Sequence, residues 1–423
     1  MEVREPDAKY LARPDLKVSE LGLLPSDWLV EPLGLHATFR TGPFGSALHQ
    51  SDYLPGGVPV INPMQIVDGK LHPTHEMAIS EVAARKLADF RLNAGDVVIG
   101  RRGDMGRCAV VQEHQTGWLC GTGSMIIRSR ASADSRYLQR VLSSPPIVAA
   151  IASASVGSTM ANLNQSTLKK LLFPLPSSRL EQEAIAEVLR DTDALIESLE
   201  QLLAKKRQLK QGAMQELLTG KRRLPGFGGA WSLKTFAQLA KIQRGASPRP
   251  IESPIWFDDA SPIGWVRISD VTSCKRWLRE TTQQLSPLGV KNSRPVGRGS
   301  LIMSICATVG RPVVTEIDVC IHDGFVVFDE LKADRDFLYF FLVSIESQWS
   351  RHGQTGSQMN LNTGLINRTE INVPPSREEQ VAIATLLSDL DTELEAIEAH
   401  LAKARHLKQG MAQALLTGRI RLV

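Results

Sequence analysis

Residues 181–224 read EQEAIAEVLRDTDALIESLEQLLAKKRQLKQGAMQELLTGKRRL, and residues 379–422 read EQVAIATLLSDLDTELEAIEAHLAKARHLKQGMAQALLTGRIRL. The two stretches start 198 positions apart, and an ungapped alignment matches 25 of their 44 residues. Each stretch closes a longer segment that resembles its counterpart far less. This arrangement predicts two divergent globular units, each ending in nearly the same long helix.

Both stretches carry the start and stop signals of a single helix. Ser178 and Ser376 each stand three residues before a glutamate. This predicts a capping box, in which the serine oxygen accepts a backbone N–H and the glutamate reaches back to the serine N–H. Gly220 and Gly418 follow Leu-Leu-Thr and suit the left-handed position beyond a helix C-terminus. No proline lies between these signals, so each arm is predicted to be a helix of about 60 Å.

Apolar residues recur along both arms with the 4-3 spacing of a coiled-coil seam. Each helix packing on its own domain is the alternative, but outward positions such as Lys205 and Lys403 match as well. We therefore expect the arms to pair with each other, antiparallel, as a rigid spacer. Gly212 and Gly410 lie inside the helices, which predicts either close approach of a second backbone or a local break. The predicted seam consists of Ile185, Leu189, Ile196, Leu199 and Leu203 in the first arm and Ile383, Leu387, Leu390, Leu394, Ile397 and Leu401 in the second.

The repeat continues weakly upstream of the arms, where Trp28 aligns with Trp231 and Gly42 with Gly245. Short buried strands are predicted at residues 58–61 and 324–328, and helices at 137–142 and 337–345. The sequence thus predicts an α+β fold with two similar mixed α/β domains, each followed by a long helix. The predicted segments are an N-terminal extension (1–24), a first domain (25–177), a first spacer helix (178–224), a second domain (225–375) and a second spacer helix (376–423).

Bulk properties narrow the class of protein. A length of 423 residues favours more than one domain. The longest apolar stretch, residues 147–156, is too short to span a bilayer, and the N-terminus lacks the apolar segment of a signal peptide. The five cysteines form no CxxC pair, which indicates reduced thiols in a cytoplasmic protein. A net charge of +4 permits nucleic-acid binding without requiring it.

Several motifs, spread over nearly the whole chain, resemble the DNA-specificity subunit of type I restriction–modification systems. Two of them resemble the openings of two classes of target-recognition domain, and the others occur in both halves. Residues 1–24 match no motif of the family. The matching motifs are GPFGS at 42–46, WVRISD at 265–270, the GSxM…NLN segments at 157–164 and 356–362, and LKQG at 209–212 and 407–410.

The resemblance implies two target-recognition domains that read the two halves of an asymmetric, interrupted site on double-stranded DNA. It implies paired helices that hold these domains apart. It also implies that two methyltransferase subunits and restriction translocase subunits dock on the chain. S-adenosylmethionine, ATP and Mg²⁺ are then expected in those partners, with no cofactor or metal in this chain.

Signatures of catalysis are weak in this sequence. There is no GxxxxGK[ST] phosphate loop. Asn62-Pro63-Met64-Gln65 only partly matches the Asn-Pro-Pro-aromatic motif of amino-methyltransferases and is interpreted as a turn, while His72 and His75 lack companion metal ligands. We expect no catalytic residue. The alternative functions are a coiled-coil scaffold that does not bind DNA and an enzyme that binds S-adenosylmethionine on its own.

DNA contacts are expected in polar, glycine- or proline-rich segments, because arginine is the commonest specific reader of guanine and basic side chains also neutralise phosphates. The loop at residues 101–107 is compact and basic, and the glycines within it allow its backbone to approach a groove. Lysines and arginines on the arms are expected to be solvated or to face a partner protein. The candidate DNA-binding residues are Arg40, Arg101, Arg102, Arg107, Arg244, Arg249, Arg267, Lys275, Arg276 and Arg311.

Overall fold

The computed structural model of the protein describes residues 15–44, 47–103, 106–154, 163–352 and 361–422, with the side chains of 350–352 excepted. Motif residues 45–46, 104–105, 157–162 and 356–360 lie outside the described residues, as do residues 1–14 of the predicted extension. The chain divides into two units. Unit 1 comprises Met1–Ser198 and Leu401–Val423, and unit 2 comprises Leu199–His400.

The elements up to the first arm are β1 (Leu16–Ser19), β2 (Gly22–Pro25), β3 (Leu29–Pro32), β4 (Ala37–Thr41), β5 (Tyr53–Ile61), β6 (Ile66–Val67), β7 (Lys70–Leu71), β8 (Ala78–Ile79), α1 (Glu81–Lys86), β9 (Val97–Gly100), β10 (Cys108–Val110), β11 (Leu119–Cys120), β12 (Ser124–Ser129), α2 (Ser135–Leu142), α3 (Pro145–Ala154), α4 (Gln165–Lys170), β13 (Leu172–Leu175) and α5 (Arg179–Leu217).

The elements that follow are β14 (Ser232–Thr235), α6 (Phe236–Leu239), β15 (Lys241–Arg244), β16 (Gly264–Val266), α7 (Ile268–Ser273), β17 (Trp277–Leu278), β18 (Gln283–Gln284), α8 (Pro287–Lys291), β19 (Arg294–Val296), β20 (Leu301–Ser304), β21 (Pro312–Thr315), β22 (Val319–Ile321), β23 (Phe325–Asp329), α9 (Arg335–His352), α10 (Thr363–Arg368), β24 (Glu370–Val373) and α11 (Arg377–Leu416). The strands and helices predicted in both domains are therefore confirmed, and so is the α+β class.

The two units are built on the same sheets. Unit 1 contains an antiparallel sheet in the order β10-β9-β12-β4, the strand pair β13-β3, and a sheet β11-β5-β8 in which β11 and β5 run parallel. Unit 2 has the corresponding sheets β15-β23-β20-β21-β17, β14-β24 and β18-β16-β22-β19, with β16 and β22 parallel. The two larger sheets each have one strand more than in unit 1. Since these sheets recur with different connecting loops, the units share a scaffold and differ at its periphery.

Both arms are single unbroken helices, of 39 residues in α5 and 40 in α11. Gly220 and Gly418 adopt positive φ angles of 73° and 65°, as predicted. The prediction for Gly212 and Gly410 is wrong in both of its forms. The helices do not break there, and a Cβ added at either glycine would meet no atom within 4 Å.

The seam residues of the arms are buried or half-buried in their units. In unit 1, Ile185 and Leu189 join the main core together with Leu415 and Leu416 from the end of α11. In unit 2, Ile383 and Leu387 join the core together with Leu217 and Leu218 from the end of α5. Each domain core is thus completed by the beginning of one arm and the end of the other.

Candidate nucleic-acid interface and helix arms

In unit 1, three chain segments meet at a cluster of glycines beside the ends of β4, β5 and β11. The Gly42 N–H donates to the Ser124 carbonyl at 3.0 Å, and the Gly123 N–H donates to Asn62 Oδ1 at 3.2 Å. A Cβ at Gly42 would lie 1.9 Å from the Gly121 oxygen, so only glycine permits this approach. We call this meeting point, residues 42, 62–63 and 121–123, the glycine junction of unit 1.

Unit 2 has the corresponding junction at residues 245 and 322–324. The Gly245 N–H donates to the Phe325 carbonyl at 2.9 Å, and a Cβ at Gly245 would lie 2.1 Å from the His322 oxygen. The predicted alignment of Gly42 with Gly245 is thereby confirmed. Backbone geometry at this point is common to both units, whereas the loops that leave it differ in sequence.

Arg101, the first residue of the basic loop predicted from the sequence, lies directly on the junction of unit 1. The Arg101 N–H donates to the Gly123 carbonyl at 2.9 Å, and Leu163 N–H donates to the Arg101 carbonyl at the same distance. The Arg101 side chain turns back to the Leu163 carbonyl, Nε to O 3.0 Å. In unit 2 the same two backbone bonds are made by Ile305, to Gly324 and from Leu361. The position is therefore shared by the units, and the arginine belongs to unit 1 alone.

The four basic candidates of unit 1 differ in how far they are exposed. Arg102 and Arg107 are exposed. Arg101 is half-buried, and burial, followed by the charge of Arg102, lowers the pKa of its guanidinium. Arg40 forms an ion pair with Asp89, and its guanidinium lies 5.0 Å from the centre of the Phe90 ring.

Two candidates of unit 2 contact the same residue of the junction, Asp323. Asp323 accepts a hydrogen bond from Ser247 Oγ at 2.7 Å and pairs with Arg249 Nη2 at 3.1 Å. The Ser247 hydrogen bond and the charge of Arg249 lower the pKa of Asp323, against the opposing effect of burial. Arg244 Nε donates to the Asp323 carbonyl at 2.7 Å. This cluster presents exposed arginines at the edge of the unit.

Arg267 and Lys275 are accessible, but both already have protein partners. Arg267 Nε donates to Gln283 Oε1 at 2.8 Å, and the guanidinium lies 5.8 Å from the centre of the Trp265 ring. The Lys275 ammonium pairs with Glu398 on α11 within unit 2. Any contact of these residues with DNA has to compete with those bonds.

Arg276 lies in the interior of unit 2, although its neighbour Lys275 is exposed. Only 7% of Arg276 is accessible. Its Nη1 donates to Ser388 Oγ at 2.8 Å, and its Nη2 lies 2.8 Å from Asp336 Oδ1. The guanidinium stacks 4.4 to 5.0 Å from the ring centres of Trp277, Tyr339 and Phe340. We therefore leave Arg276 out of the DNA surface proposed below and interpret it as a residue that joins the second domain to α11.

Arg311 is also largely occupied by the protein. Its Nε donates to the Val271 carbonyl at 3.3 Å and its Nη2 to the Cys274 carbonyl at 3.1 Å. These carbonyls lie at the end of the short helix α7, so the guanidinium caps that helix. The equivalent Gly-Arg element at Arg107 is exposed, so the two members of this predicted pair are in different environments.

The two arms run antiparallel where they pack together. In unit 2, Lys206 pairs with Glu393 at 2.6 Å, Arg207 with Glu398 at 2.9 Å and Lys210 with Asp391. In unit 1, Lys408 pairs with Asp193. Lys210 and Lys408 occupy equivalent positions of the repeat, and so do Asp391 and Asp193. The repeat therefore encodes the same ion pair twice.

A second duplicated contact was missed from the sequence, because the glutamates of the predicted capping boxes have other partners. Ser376 Oγ does accept the Glu379 N–H at 3.1 Å. The Glu379 carboxylate accepts from Arg223, Nε to Oε1 2.9 Å. Arg421 donates in the same way to Glu181, Nη2 to Oε2 2.8 Å, and also to Asp27 at 2.8 and 2.9 Å. The capping prediction was thus right for Ser376 and wrong for the two carboxylates.

These contacts give each unit what we call a clasp, Arg223–Glu379 in unit 2 and Arg421–Glu181 in unit 1. Both glutamates are almost fully buried, and Glu379 has no accessible surface. The glycines that precede the arginines complete the arrangement, because Gly220 packs on Trp231 and Gly418 on Trp28. The sequence contained a signal for this clasp, because Arg223 and Arg421 occupy equivalent positions, 198 residues apart, in the two copies of the repeat.

With this geometry in place, the comparison with known proteins is decisive. The family described as "Type I restriction modification DNA specificity domain" matches the chain twice, at residues 37–207 and 230–404. The chain belongs to this family. The resemblance stated from the sequence motifs is thereby confirmed.

Two specificity subunits of Methanocaldococcus jannaschii resemble this chain over nearly its whole length. A putative type I restriction enzyme MjaX specificity subunit is 24% identical, covering 98% of each chain. The type I restriction enzyme MjaVIII specificity subunit is 21% identical, covering 94% of each. The S subunit of a type I system from M. genitalium shares the fold, with a TM-score of 0.59, 16% identity, and coverage of 96% of this chain and 99% of that one. A chain from a structure of the type I restriction–modification system also shares the fold. Its TM-score is 0.54 at 18% identity, and the match covers 94% of this chain and 99% of that one.

Two further findings concern only the residues that the structure describes. Among them, no group of three or more histidine, cysteine, aspartate or glutamate side chains is arranged to hold a metal ion. In the same part of the chain, no helix combines the length and apolar character needed to span a membrane.

Proposed function

We propose that this chain is the DNA-recognition subunit of a type I restriction–modification complex and carries no catalytic residue of its own. Units 1 and 2 would read the two different halves of an interrupted, asymmetric target. The observation that carries this proposal is the duplicated glycine junction. Its backbone contacts are the same in both units, while the side chains placed on it differ, as with Arg101 in unit 1 and Ile305 in unit 2. A shared frame with different contact residues suits two readers of different sequences.

The DNA surface of unit 1 would centre on Arg101, Arg102 and Arg107, with Arg40 at its edge. That of unit 2 would centre on Arg244, Arg249 and Arg267. The exposed guanidiniums are placed to neutralise phosphates or to donate to guanine. The modest net charge of +4 supports a protein that binds DNA together with partner subunits.

We further propose that the arms dock two methyltransferase subunits, one on each copy of the motif at residues 209–212 and 407–410. Lys210 and Lys408 of this motif are explained by their ion pairs within the protein. The other positions are not. Leu209 and Leu407 are 51% and 56% exposed, and the two glycines face open space. An exposed leucine beside a position without a side chain, repeated in both copies, forms a shallow apolar notch suited to the same partner twice.

Restriction translocase subunits would join the complex through the methyltransferases or the chain itself. S-adenosylmethionine, ATP and Mg²⁺ would bind in those partners. The chain would then act in the cytoplasm, where the DNA is.

The primary test is the methylome of a host with and without this gene. We expect one bipartite adenine-methylation motif to disappear when the gene is deleted and to return on complementation. An unchanged methylome would contradict DNA recognition and would favour a scaffold that does not bind DNA.

The docking surface is tested by substituting Leu209 and Leu407 with serine and measuring co-purification with the methyltransferase subunit. We expect the bound methyltransferase to fall from two copies to none, with one copy kept by each single variant. Leu202→Ser is the matched control, because Leu202 is 40% exposed on the same helix and its repeat counterpart is His400. Equal binding by the double variant and the control would refute the notch.

The spacer role is tested by removing one heptad from each arm, with the pairing of the arms kept in register. Seven helical residues span about 10 Å, which equals about three base pairs of DNA. We expect the gap in the methylated motif to shorten by about three base pairs. A motif with unchanged spacing would show that the arms do not set the distance between half-sites.

A further inference from the structure

Two of the exposed large apolar side chains of unit 1 belong to segments that meet at the glycine junction. Phe44 is 70% exposed, two residues beyond Gly42. Met64 is 81% exposed and follows Pro63. Isolated exposed apolar residues are common on protein surfaces, so their location has to carry the argument.

The contacts of the junction place both residues next to the basic loop. Pro63 lies against Gly100 and Gly123, because a Cβ on either glycine would come within 3.2 Å of the proline ring. Gly100 directly precedes Arg101, whose N–H donates to Gly123. Gly42 packs on Gly121, at the other end of the same short turn. Phe44 and Met64 are thus one or two residues away from the backbone contacts that hold the basic loop.

In unit 2, both equivalent positions are serines. Gly42 and Gly245 make equivalent bonds, so Phe44 corresponds to Ser247. The parallel strand pairs show which residue of unit 2 corresponds to Met64. Ile61 lies opposite Cys120 in unit 1, and Val266 lies opposite Ile321 in unit 2, so Ile61 corresponds to Val266. Three residues beyond these strand positions stand Met64 in unit 1 and Ser269 in unit 2.

The turns that follow these strands confirm that alignment. Each is closed by a buried side chain that accepts the backbone N–H three residues earlier, Gln65 to Asn62 in unit 1 and Asp270 to Arg267 in unit 2. The scaffold therefore does not require an apolar side chain at either position. The difference between the units belongs to the surface and not to the fold.

From these observations we propose that Phe44 and Met64 contact thymine methyl groups in the half-site read by unit 1. This inference rests on the proposed function, since it assumes that unit 1 binds duplex DNA. The thymine C5 methyl is the apolar group that base pairs present in the major groove, and apolar side chains are its natural contacts. Charge complementarity supports DNA as the occupant, because the basic segment that begins with Arg101 and the exposed Arg102 is bonded to the same junction. Unit 2, with serines at both positions, reads its half-site without this contact.

The test uses the full chain in complex with its methyltransferase subunit and a duplex carrying the methylated motif. Deoxyuridine, which lacks the methyl group, replaces thymine in one half-site at a time. We expect binding to weaken about four-fold for each contacted methyl that is removed, the factor given by burying one methyl group. The loss should be confined to one half-site. The salt dependence of binding should stay unchanged, because no phosphate contact is involved.

The variant Phe44→Ser with Met64→Ser installs the side chains of unit 2 in unit 1. It should bind the thymine duplex more weakly and bind thymine and deoxyuridine duplexes equally well. Val82→Ser is the matched control, because Val82 is 66% exposed in unit 1 on a different segment. That control should keep both the affinity and the discrimination, and the thermal unfolding of all variants should match the wild type.

The possible results separate this inference from the function on which it rests. Tight binding to the motif with no response to deoxyuridine in either half-site, or with a response that the double serine variant retains, would overturn the thymine contact alone. Failure of the wild-type complex to bind the motif would overturn both proposals.

Discussion

The clasp of unit 2 allows a quantitative prediction about what holds the second domain to its arm. Glu379 has no accessible surface and accepts two hydrogen bonds from Arg223. The substitution Glu379→Gln keeps the size and shape of this side chain and removes its charge. Any loss of stability therefore reports the ion pair and not a cavity.

The magnitude follows from the burial of the two partners. Removing one partner of a buried ion pair costs about 3 to 5 kcal/mol. Arg223 keeps 25% of its side chain exposed and also donates to the carbonyls of Gly228 and Gly229. The guanidinium is thus partly solvated and partly satisfied without the carboxylate, and we expect a loss of about 2 kcal/mol. With a urea dependence of about 2 kcal/mol per molar, the unfolding midpoint of unit 2 falls by about 1 M.

The assay must report unit 2 separately, because a chain with two units need not unfold in a single step. Hydrogen exchange measured by mass spectrometry across a urea series provides this, with peptides from residues 377–390 as the reporter. Glu378→Gln is the matched control, because its side chain is exposed one position away and should change stability by less than about 0.5 kcal/mol. A double-mutant cycle with Arg223→Met measures the coupling of the pair. If both glutamine variants shift the midpoint equally, or if the cycle shows no coupling, the clasp does not stabilise unit 2.

Three other predictions concern single side chains. Arg102→Ala should weaken binding of the target duplex and reduce the slope of log K against log salt by about 0.9, the value for one phosphate contact. Arg85→Ala, on the exposed surface of α1, is the control. An unchanged slope in Arg102→Ala would contradict a phosphate contact. Arg276→Ala should lower the free energy of unfolding of unit 2 by about 3 kcal/mol, because it removes a buried guanidinium that pairs with Asp336 and packs among three aromatic rings. A urea titration would show this loss of stability, and an unchanged salt dependence of DNA binding would show that no phosphate contact is lost. The hydrogen bond and the charge of Arg421 lower the pKa of Asp27 in the folded state. The contribution of Asp27 to stability is therefore complete above about pH 4 and is lost as the pH falls further. In a plot of unfolding temperature against pH, Asp27→Asn should therefore show a shallower fall at acidic pH than the wild type. A fall of unchanged slope would contradict the pairing.

The arrangement of domains and arms in this fold was predictable because the two halves of the chain can be aligned with each other. Residues that match across the repeat, such as Lys205 and Lys403, predict the arms and their antiparallel pairing from the sequence alone. The ion pairs of Asp193 and Asp391 confirm that pairing. Strand positions followed from short apolar runs, since a buried strand has little room for polar side chains.

The environment of individual basic residues was not predictable in the same way. Lys275 and Arg276 are adjacent and similarly charged, yet one is exposed and the other is enclosed by aromatic rings. Which of them turns inward depends on strand pairing and on residues such as Ser388, more than 100 positions away. The role of Gly212 was misjudged for a related reason. A glycine inside a helix indicates that space is needed without showing whether this protein or a partner fills it.

The exchange of helix ends between the units has a consequence for biosynthesis. Unit 2 is one continuous segment, Leu199–His400, so every residue of its core has been translated before residue 401 is added. Unit 1 includes Leu401–Val423, and its core contains Leu415 and Leu416. On a ribosome that makes the chain from its N-terminus, the domain that is synthesised first is therefore completed last. Until then its apolar surface around Ile185 and Leu189 is uncovered. Exposed apolar surface promotes aggregation, so we expect the nascent first domain to depend on chaperones more than the second.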